Sequence, residues 1–282
     1  MPSPGFPLCQ PICQNLGVEF DTYKLLPDEG WKIDLDDLRS KVTPRTKALL
    51  VNNPSNPCGS CFTAEHMAEI LAVADDVKVP IVADEVYYGL TYDPERPFVS
   101  FGNATSTVPV ICTSAISKIY CLPGWRLGWC TVYNNQGYFD DVIERMGMHA
   151  MIQLHPNTLV QFALPKILKE VPDSFYENMK AKLSASSQAA FSRLSTIRGV
   201  TPIRSSAAMY MMVRIECDQF SDIGDDIEFC RKLLTEQNCL TFPSTCFFEK
   251  NFFRMIICTL PETINQFGDR LQEFCTAHYK QE

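Results

Sequence analysis

No stretch of the chain approaches the roughly 18 consecutive apolar residues that span a bilayer. The opening Met-Pro-Ser-Pro-Gly-Phe-Pro has neither a basic n-region nor an apolar h-region, so neither a membrane anchor nor a secretory signal is expected. Positive charge is in deficit: 25 Lys+Arg stand against 33 Asp+Glu, for a formal net charge of -8. Without a domain-wide positive field the chain is not expected to engage nucleic acid. Histidine is scarce, and His66, His149, His155 and His278 are too dispersed to form a ligand cluster. Cys9 and Cys13 lack a second pair at zinc-site spacing, so no metal is expected. Internal repeats and low-complexity tracts are absent.

What is present is an ordinary globular composition. Of 282 residues, 46% are hydrophobic and 21% charged, which suits one large α/β domain or two smaller ones. The 13 cysteines are odd in number and spread from Cys9 to Cys275. They read as reduced thiols of a cytoplasmic protein rather than a disulfide framework. Cys58-Gly-Ser-Cys61 has redox spacing. It follows Pro-Ser-Asn-Pro instead of opening a helix in a thioredoxin-like unit, which suggests another role.

Apolar runs predict buried strands over 47–52, 79–84, 108–113 and 126–133. Between the first two, Thr63 caps a predicted helix whose inner face is Met67, Ile70, Leu71 and Ala74. Strand, helix, strand at this spacing implies a parallel sheet with right-handed crossovers. Helices follow over 139–148, 158–169 and 174–197, the last with a stripe of Phe175, Met179, Leu183, Phe191 and Leu194. A strand is expected over 208–213. Next comes a helix over 225–236 with Ile227, Cys230 and Leu234 on one side, then strands over 239–242 and 252–258. The last helix, 261–278, is lined by Ile264, Phe267, Leu271 and Phe274. The expected division is a large domain over 1–160, then linking helices and a small α+β domain over 161–282.

Ligands of open parallel sheets bind beyond the carboxyl ends of the strands. Asn56, Asp84, Tyr87, Lys118 and Arg126 fall there or in the turns that follow. Singly, each has an ordinary structural reading as a turn residue, a cap, packing or a surface charge.

Their order and spacing resemble a known pattern. Asn52-Asn-Pro-Ser-Asn-Pro-Cys-Gly59, Ala83-Asp-Glu-Val-Tyr87 and Ser117-Lys-Ile-Tyr-Cys-Leu-Pro-Gly-Trp-Arg-Leu-Gly-Trp129 resemble the signature blocks of the fold-type I aminotransferases, which use pyridoxal phosphate (PLP). Pro4-Gly-Phe-Pro7, Ala208-Met-Tyr-Met-Met-Val213, Phe248-Glu-Lys-Asn-Phe-Phe-Arg254 and the Gln272–Tyr279 tail extend the likeness. Within that family the blocks resemble those of the tyrosine aminotransferases.

The resemblance implies a role for each residue. Lys118 matches the lysine that joins the PLP aldehyde as a Schiff base and, once freed, shuttles a proton. Asp84 matches the carboxylate that keeps the pyridinium nitrogen protonated. Tyr87 and Asn56 match the groups that hydrogen-bond the ring oxygen. Arg126 matches the guanidinium on the phosphate, with Ser117 beside it. Phe6 matches the ring that stacks on the cofactor, and Arg254 the arginine that pairs with the substrate α-carboxylate. The implied reaction moves an amino group from tyrosine or another aromatic amino acid to 2-oxoglutarate, in aromatic amino acid breakdown. A homodimer is also implied, through the stretch His155-Pro-Asn-Thr158.

The chain departs from this pattern in three places. It starts at the Pro-Gly-Phe-Pro block, so an N-terminally truncated large domain is expected, without the helix N-terminus that cradles the phosphate. Ala115 stands where many relatives have serine. Ala207 stands where glycine is usual. Two alternatives follow: a catalytically impaired short form, or a PLP-dependent lyase on the same fold.

Overall fold

The structure, a computed structural model, describes residues 1–280. It begins with β1 (Pro2–Ser3), α1 (Cys9–Asn15), β2 (Tyr23–Leu26), β3 (Lys32–Ile33) and α2 (Leu35–Lys41). An alternating stretch follows: β4 (Leu49–Asn52), α3 (Ala64–Asp76), β5 (Ile81–Asp84), α4 (Phe101–Ala104), β6 (Val110–Ala115), α5 (Ile116–Ile119) and β7 (Gly128–Tyr133). Three helices come next, α6 (Asp140–Gln153), α7 (Thr158–Glu170) and α8 (Asp173–Leu194). The chain closes with β8 (Val200–Pro202), β9 (Tyr210–Ile215), α9 (Asp226–Gln237), β10 (Phe242–Pro243), β11 (Phe252–Ile256) and α10 (Pro261–His278).

Contacts divide the chain into two compact units. One comprises Met1–Asp34, Ser55–Ser60 and Lys180–Glu282, and the other Leu35–Pro54 and Cys61–Met179. None of these cuts falls at 160, the division expected from the sequence.

The second unit is built on a four-stranded sheet in the order β4-β5-β6-β7. β4, β5 and β6 are parallel, as the alternation predicts. β7 is not: it runs antiparallel to β6. The link over 116–127 holds only the four-residue α5 and a 3-10 turn, too little for the helical crossover that a parallel return needs. Apolar alternation alone does not reveal strand direction. Thr63 caps α3 by accepting from the His66 N–H at 3.3 Å, and Met67, Ile70, Val73 and Ala74 are buried on the sheet. Together with Val51, Ile81, Val110, Phe101 and Ile116 they form this unit's core.

The first unit holds a mixed sheet β1-β2-β3 and an antiparallel sheet β10-β11-β9-β8. Its core is aromatic: the Phe229 ring stacks on Phe253 at 5.6 Å and meets Phe274 edge-on at 5.2 Å. The inner face of α9 is Phe229, Cys230 and Leu233. Ile227 and Leu234, expected inside, are 49% and 42% exposed. Phe229 is the larger hydrophobe, so it sets the helix rotation. In α8, Leu183, Ser186, Ser187, Ala190 and Leu194 are buried, whereas Phe175 at the outer end is exposed. The strand expected over 239–242 shortens to the two residues of β10. α10 matches its expected span, with Ile264, Leu271 and Phe274 inside. No described helix is long and apolar enough to cross a membrane.

Candidate active site

Register places the candidate residues of the second unit on one sheet edge. Asn52, Asp84 and Thr113 lie in line across β4, β5 and β6, and Ala115 faces Gly128 of β7. The carboxyl ends of three strands and the amino end of the fourth therefore share that edge.

β5 ends there because its last residue and the next divide two tasks. Glu85 is 5% exposed and turns inward. Its carboxylate accepts from the Ser100 hydroxyl and the Phe101 N–H, both at 2.8 Å, closing the start of α4. Asp84 stays at the edge, where its Oδ1 accepts from the Val86 N–H at 3.2 Å. Its carbonyl takes the Asn53 N–H at 3.0 Å and Asn52 Nδ2 at 3.1 Å. Burial pushes the Asp84 pKa up. The Val86 N–H and the nearby Lys118 charge pull against that rise without cancelling it. Burial raises Glu85 as well.

Lys118 follows from α5. Ile116 and Ile119 are buried, and that spacing leaves Ser117 and Lys118 on the open side of the turn. The Lys118 ammonium lies 5.5 Å from the centroid of the Tyr87 ring, and Tyr87 itself is 2% exposed. The hydroxyl of Ser114, on β6, is buried without a hydrogen-bond partner among the described residues. Arg126 comes two residues before β7 with φ 52; it is exposed, and its Nη1 donates to the Pro123 carbonyl at 3.1 Å.

The remaining candidates belong to the first unit. Asn56 is buried, and its Oδ1 accepts from Arg254 Nη1 at 2.8 Å. Arg254 sits in β11, opposite Met212 of β9 and Phe242 of β10. Its guanidinium lies 4.5 Å from the Tyr210 ring, 4.7 Å from Phe247 and 5.1 Å from Phe242. Rings on its faces and an amide at one edge fix the fork. Phe6 is 43% exposed, on a segment tied down where Gly5 N–H donates to the Phe247 carbonyl at 2.9 Å.

Asp84, Tyr87, Ser117, Lys118 and Arg126 thus share one sheet edge, and Asn56 and Arg254 are in direct contact. Sequence reasoning missed the rings around Arg254. Tyr210 lies inside a quoted block and Phe247 one residue before another, so the signal was present in the aromatic residues flanking the motifs. It also missed the tyrosines behind Lys118. Tyr120 meets Tyr176 edge-on at 5.9 Å and interacts with Tyr88.

Comparison with known proteins adds sequence and fold evidence to this geometry. The sequence model of the family described as "Aminotransferase class I and II" matches residues 1–271. A tyrosine aminotransferase from Mus musculus is 39% identical over 282 residues, 99% of this chain and 62% of the mouse protein. A cystine lyase from Arabidopsis thaliana is 32% identical, covering 99% of this chain and 66% of the plant protein. The crystal structure of tyrosine aminotransferase from Leishmania infantum superposes with a TM-score of 0.92 at 30% identity, over 99% of this chain and 68% of that one. The chain therefore spans about 62% of the mouse relative's length.

Proposed function

Because the chain belongs to the class I and II aminotransferases, with their PLP-dependent fold, we propose that it transfers an amino group from tyrosine or another aromatic amino acid to 2-oxoglutarate. The observation that carries this reading is the placement of Lys118 beside Asp84. An amine and a carboxylate stand at the ends of neighbouring parallel strands, close enough for the lysine's charge to act on the carboxyl group. This donor set fits PLP: a primary amine for its aldehyde and an acid for its ring nitrogen. When bound, PLP supplies an electron sink for the substrate's α-carbon.

The chain's own residues do the rest. Lys118 would hold the cofactor through its amine, and that amine would carry the proton of the reaction. Asp84 holds a proton on the ring nitrogen, and the low-dielectric surroundings of its carboxylate strengthen that pairing. Tyr87 and Asn56 donate to the ring oxygen. Ser117 and Arg126 would hold the phosphate, Phe6 would stack on the ring, and Arg254 would pair with the substrate carboxylate. The proposal extends to a cytoplasmic homodimer with its functional domains divided near 160. Support for a partner comes from α6 and α7, of which no described residue is buried, although helices of this length depend on packing for stability.

The cystine lyase similarity favours a second reading, a lyase using the same Lys118 and Asp84. Product analysis separates the two: a 2-oxo acid with stoichiometric glutamate supports transfer, and ammonia with pyruvate from cystine supports elimination. The primary test is borohydride reduction of protein incubated with PLP, followed by peptide mapping. The label is expected on Lys118 and absent in Lys118→Ala. A label on another lysine, or one unchanged in the variant, overturns the assignment.

A further inference from the structure

Asp226, in the first turn of α9, is 1% exposed, and its hydrogen-bond partners among the described residues are N–H and O–H groups of a single loop. Oδ2 accepts from the Thr245 N–H at 2.7 Å and the Ser244 hydroxyl at 3.4 Å. Oδ1 accepts from the Thr245 hydroxyl at 2.9 Å and the Asn251 N–H at 3.4 Å. An isolated carboxylate in such a place is costly; four donors and the α9 N-terminus offset the loss of water.

The loop over 244–251 needs such a hold. Two of its residues that are not glycine, Phe248 with φ 69 and Asn251 with φ 60, adopt the left-handed region, which persists only where surroundings enforce it. The same loop reaches two candidate site elements. The Phe247 ring forms one wall of the Arg254 cage at 4.7 Å. The Phe247 carbonyl accepts from the Gly5 N–H at 2.9 Å, and the Phe248 carbonyl from the Ser3 hydroxyl at 2.6 Å, which fixes the segment leading into Phe6. The Ser244 hydroxyl also accepts from the Phe252 N–H at 3.0 Å, linking the loop to the first residue of Arg254's own strand.

We infer that Asp226 is the positioning residue for the carboxylate-binding end of the site: through the 244–251 loop it sets both the ring wall of Arg254 and the segment that carries Phe6. This inference rests on the reading of Arg254 as the substrate-carboxylate residue. Asp226 touches neither substrate nor cofactor. It acts by removing alternative conformations of the loop that walls Arg254.

The test uses the full chain and Asp226→Asn, which keeps the side-chain shape but turns an amide N–H₂ toward the loop's donors. Binding of 3-phenylpropionate, a carboxylate with an aromatic tail, is measured by calorimetry, and loop opening by the rate of tryptic cleavage after the exposed Lys250. A dissociation constant about tenfold weaker together with faster Lys250 cleavage is expected, while borohydride trapping of PLP on Lys118 stays unchanged. An unchanged dissociation constant overturns the positioning role, whether or not the loop loosens. If the unsubstituted chain does not bind the probe, the reading of Arg254 fails, and the positioning role falls with it; trapping on Lys118 is a separate readout and stands. Should Asp226→Asn not fold, Thr245→Val removes only one hydroxyl donor and is expected to weaken binding in the same direction; binding unchanged in that variant overturns the inference.

Discussion

The Lys118 ammonium and the Tyr87 ring lie 5.5 Å apart on the edge where Asp84 ends β5, so the three candidate groups occupy one small, partly dehydrated volume. Dehydration has a measurable consequence for Asp84, whose pKa burial raises. The folded chain then holds that proton more tightly than the unfolded chain, and ionising Asp84 at neutral pH costs folding stability. Asp84→Asn keeps an oxygen for the Val86 N–H and removes the charge. We expect its melting temperature to exceed that of the unsubstituted cofactor-free chain by a few degrees at pH 7.5, with the gap closing as the pH falls from the raised value toward the ordinary carboxylate range. If the chain has the proposed function, amino transfer is expected to fall by orders of magnitude in the same variant. A melting temperature that falls at pH 7.5 would show that the ionised carboxylate is stabilising.

A second pH dependence arises in the first unit, with the opposite sign. His278 Nδ1 meets the Asp222 carboxylate at 2.8 Å and Nε2 meets Glu236 at 2.8 Å, with Lys232 also on Asp222 at 2.7 Å. Burial lowers the His278 pKa, but the bonds to Glu236 and Asp222 outweigh burial and leave it above its ordinary value. A raised histidine contributes stability below its unfolded pKa and loses it as the pH rises through the folded pKa. His278→Gln should therefore melt a few degrees below the unsubstituted chain at pH 6, with the difference narrowing by pH 9. A difference that is constant across this range would mean that the imidazole acts only by packing against Phe274.

The Cys58-Gly-Ser-Cys61 spacing leads to a prediction of inertness. Cys58 and Cys61 are 0% and 1% exposed, and burial pushes each thiol up to about 12. A thiol that stays protonated is neither nucleophile nor electron donor at neutral pH. Iodoacetamide on the native chain should label the exposed Cys121, Cys130, Cys246 and Cys258 at least tenfold faster than either buried thiol, read by peptide mass. Comparable labelling of Cys58 or Cys61 would restore the redox reading.

These cases show where the sequence was legible. Helix existence followed from apolar period in α3 and α10, because burial on one face leaves a repeating trace, and strand existence from short apolar runs in β4–β6. The segment over 1–46 carries no such trace: β1 and β3 are two residues long and depend on pairing with β2. β7's direction depended on loop length, and α9's rotation on the size of Phe229, neither of which periodicity weighs. The candidate site residues were singled out by the resemblance of their blocks to a known family; singly, each reads as an ordinary turn, cap, packing or surface residue. The loop that Asp226 organises was not legible, since two of its donors are main-chain N–H groups that any sequence offers and the other two are the hydroxyls of adjacent Ser244 and Thr245.

Gly59, in the same loop as Asn56, separates backbone strain from close packing. Its φ is +67, and a Cβ there would sit 2.1 Å from the Tyr210 carbonyl oxygen and 2.9 Å from Ser205 Cβ. Its carbonyl accepts from the Ser206 and Ala207 N–H groups at 2.8 and 2.9 Å, so the loop cannot move off without breaking both bonds. Gly17 has a similar φ of +65 and nothing within 4 Å of the added carbon. Gly17→Ala should therefore cost only the conformational term, about 1 kcal/mol, in urea denaturation. Gly59→Ala should cost about 3 kcal/mol or more. It should also weaken binding of carboxylate ligands, because Asn56 three residues earlier holds Arg254 and Tyr210 forms one wall of its cage. Equal destabilisation by the two substitutions would mean that the 55–60 loop yields freely and that the Asn56–Arg254 contact does not depend on its backbone.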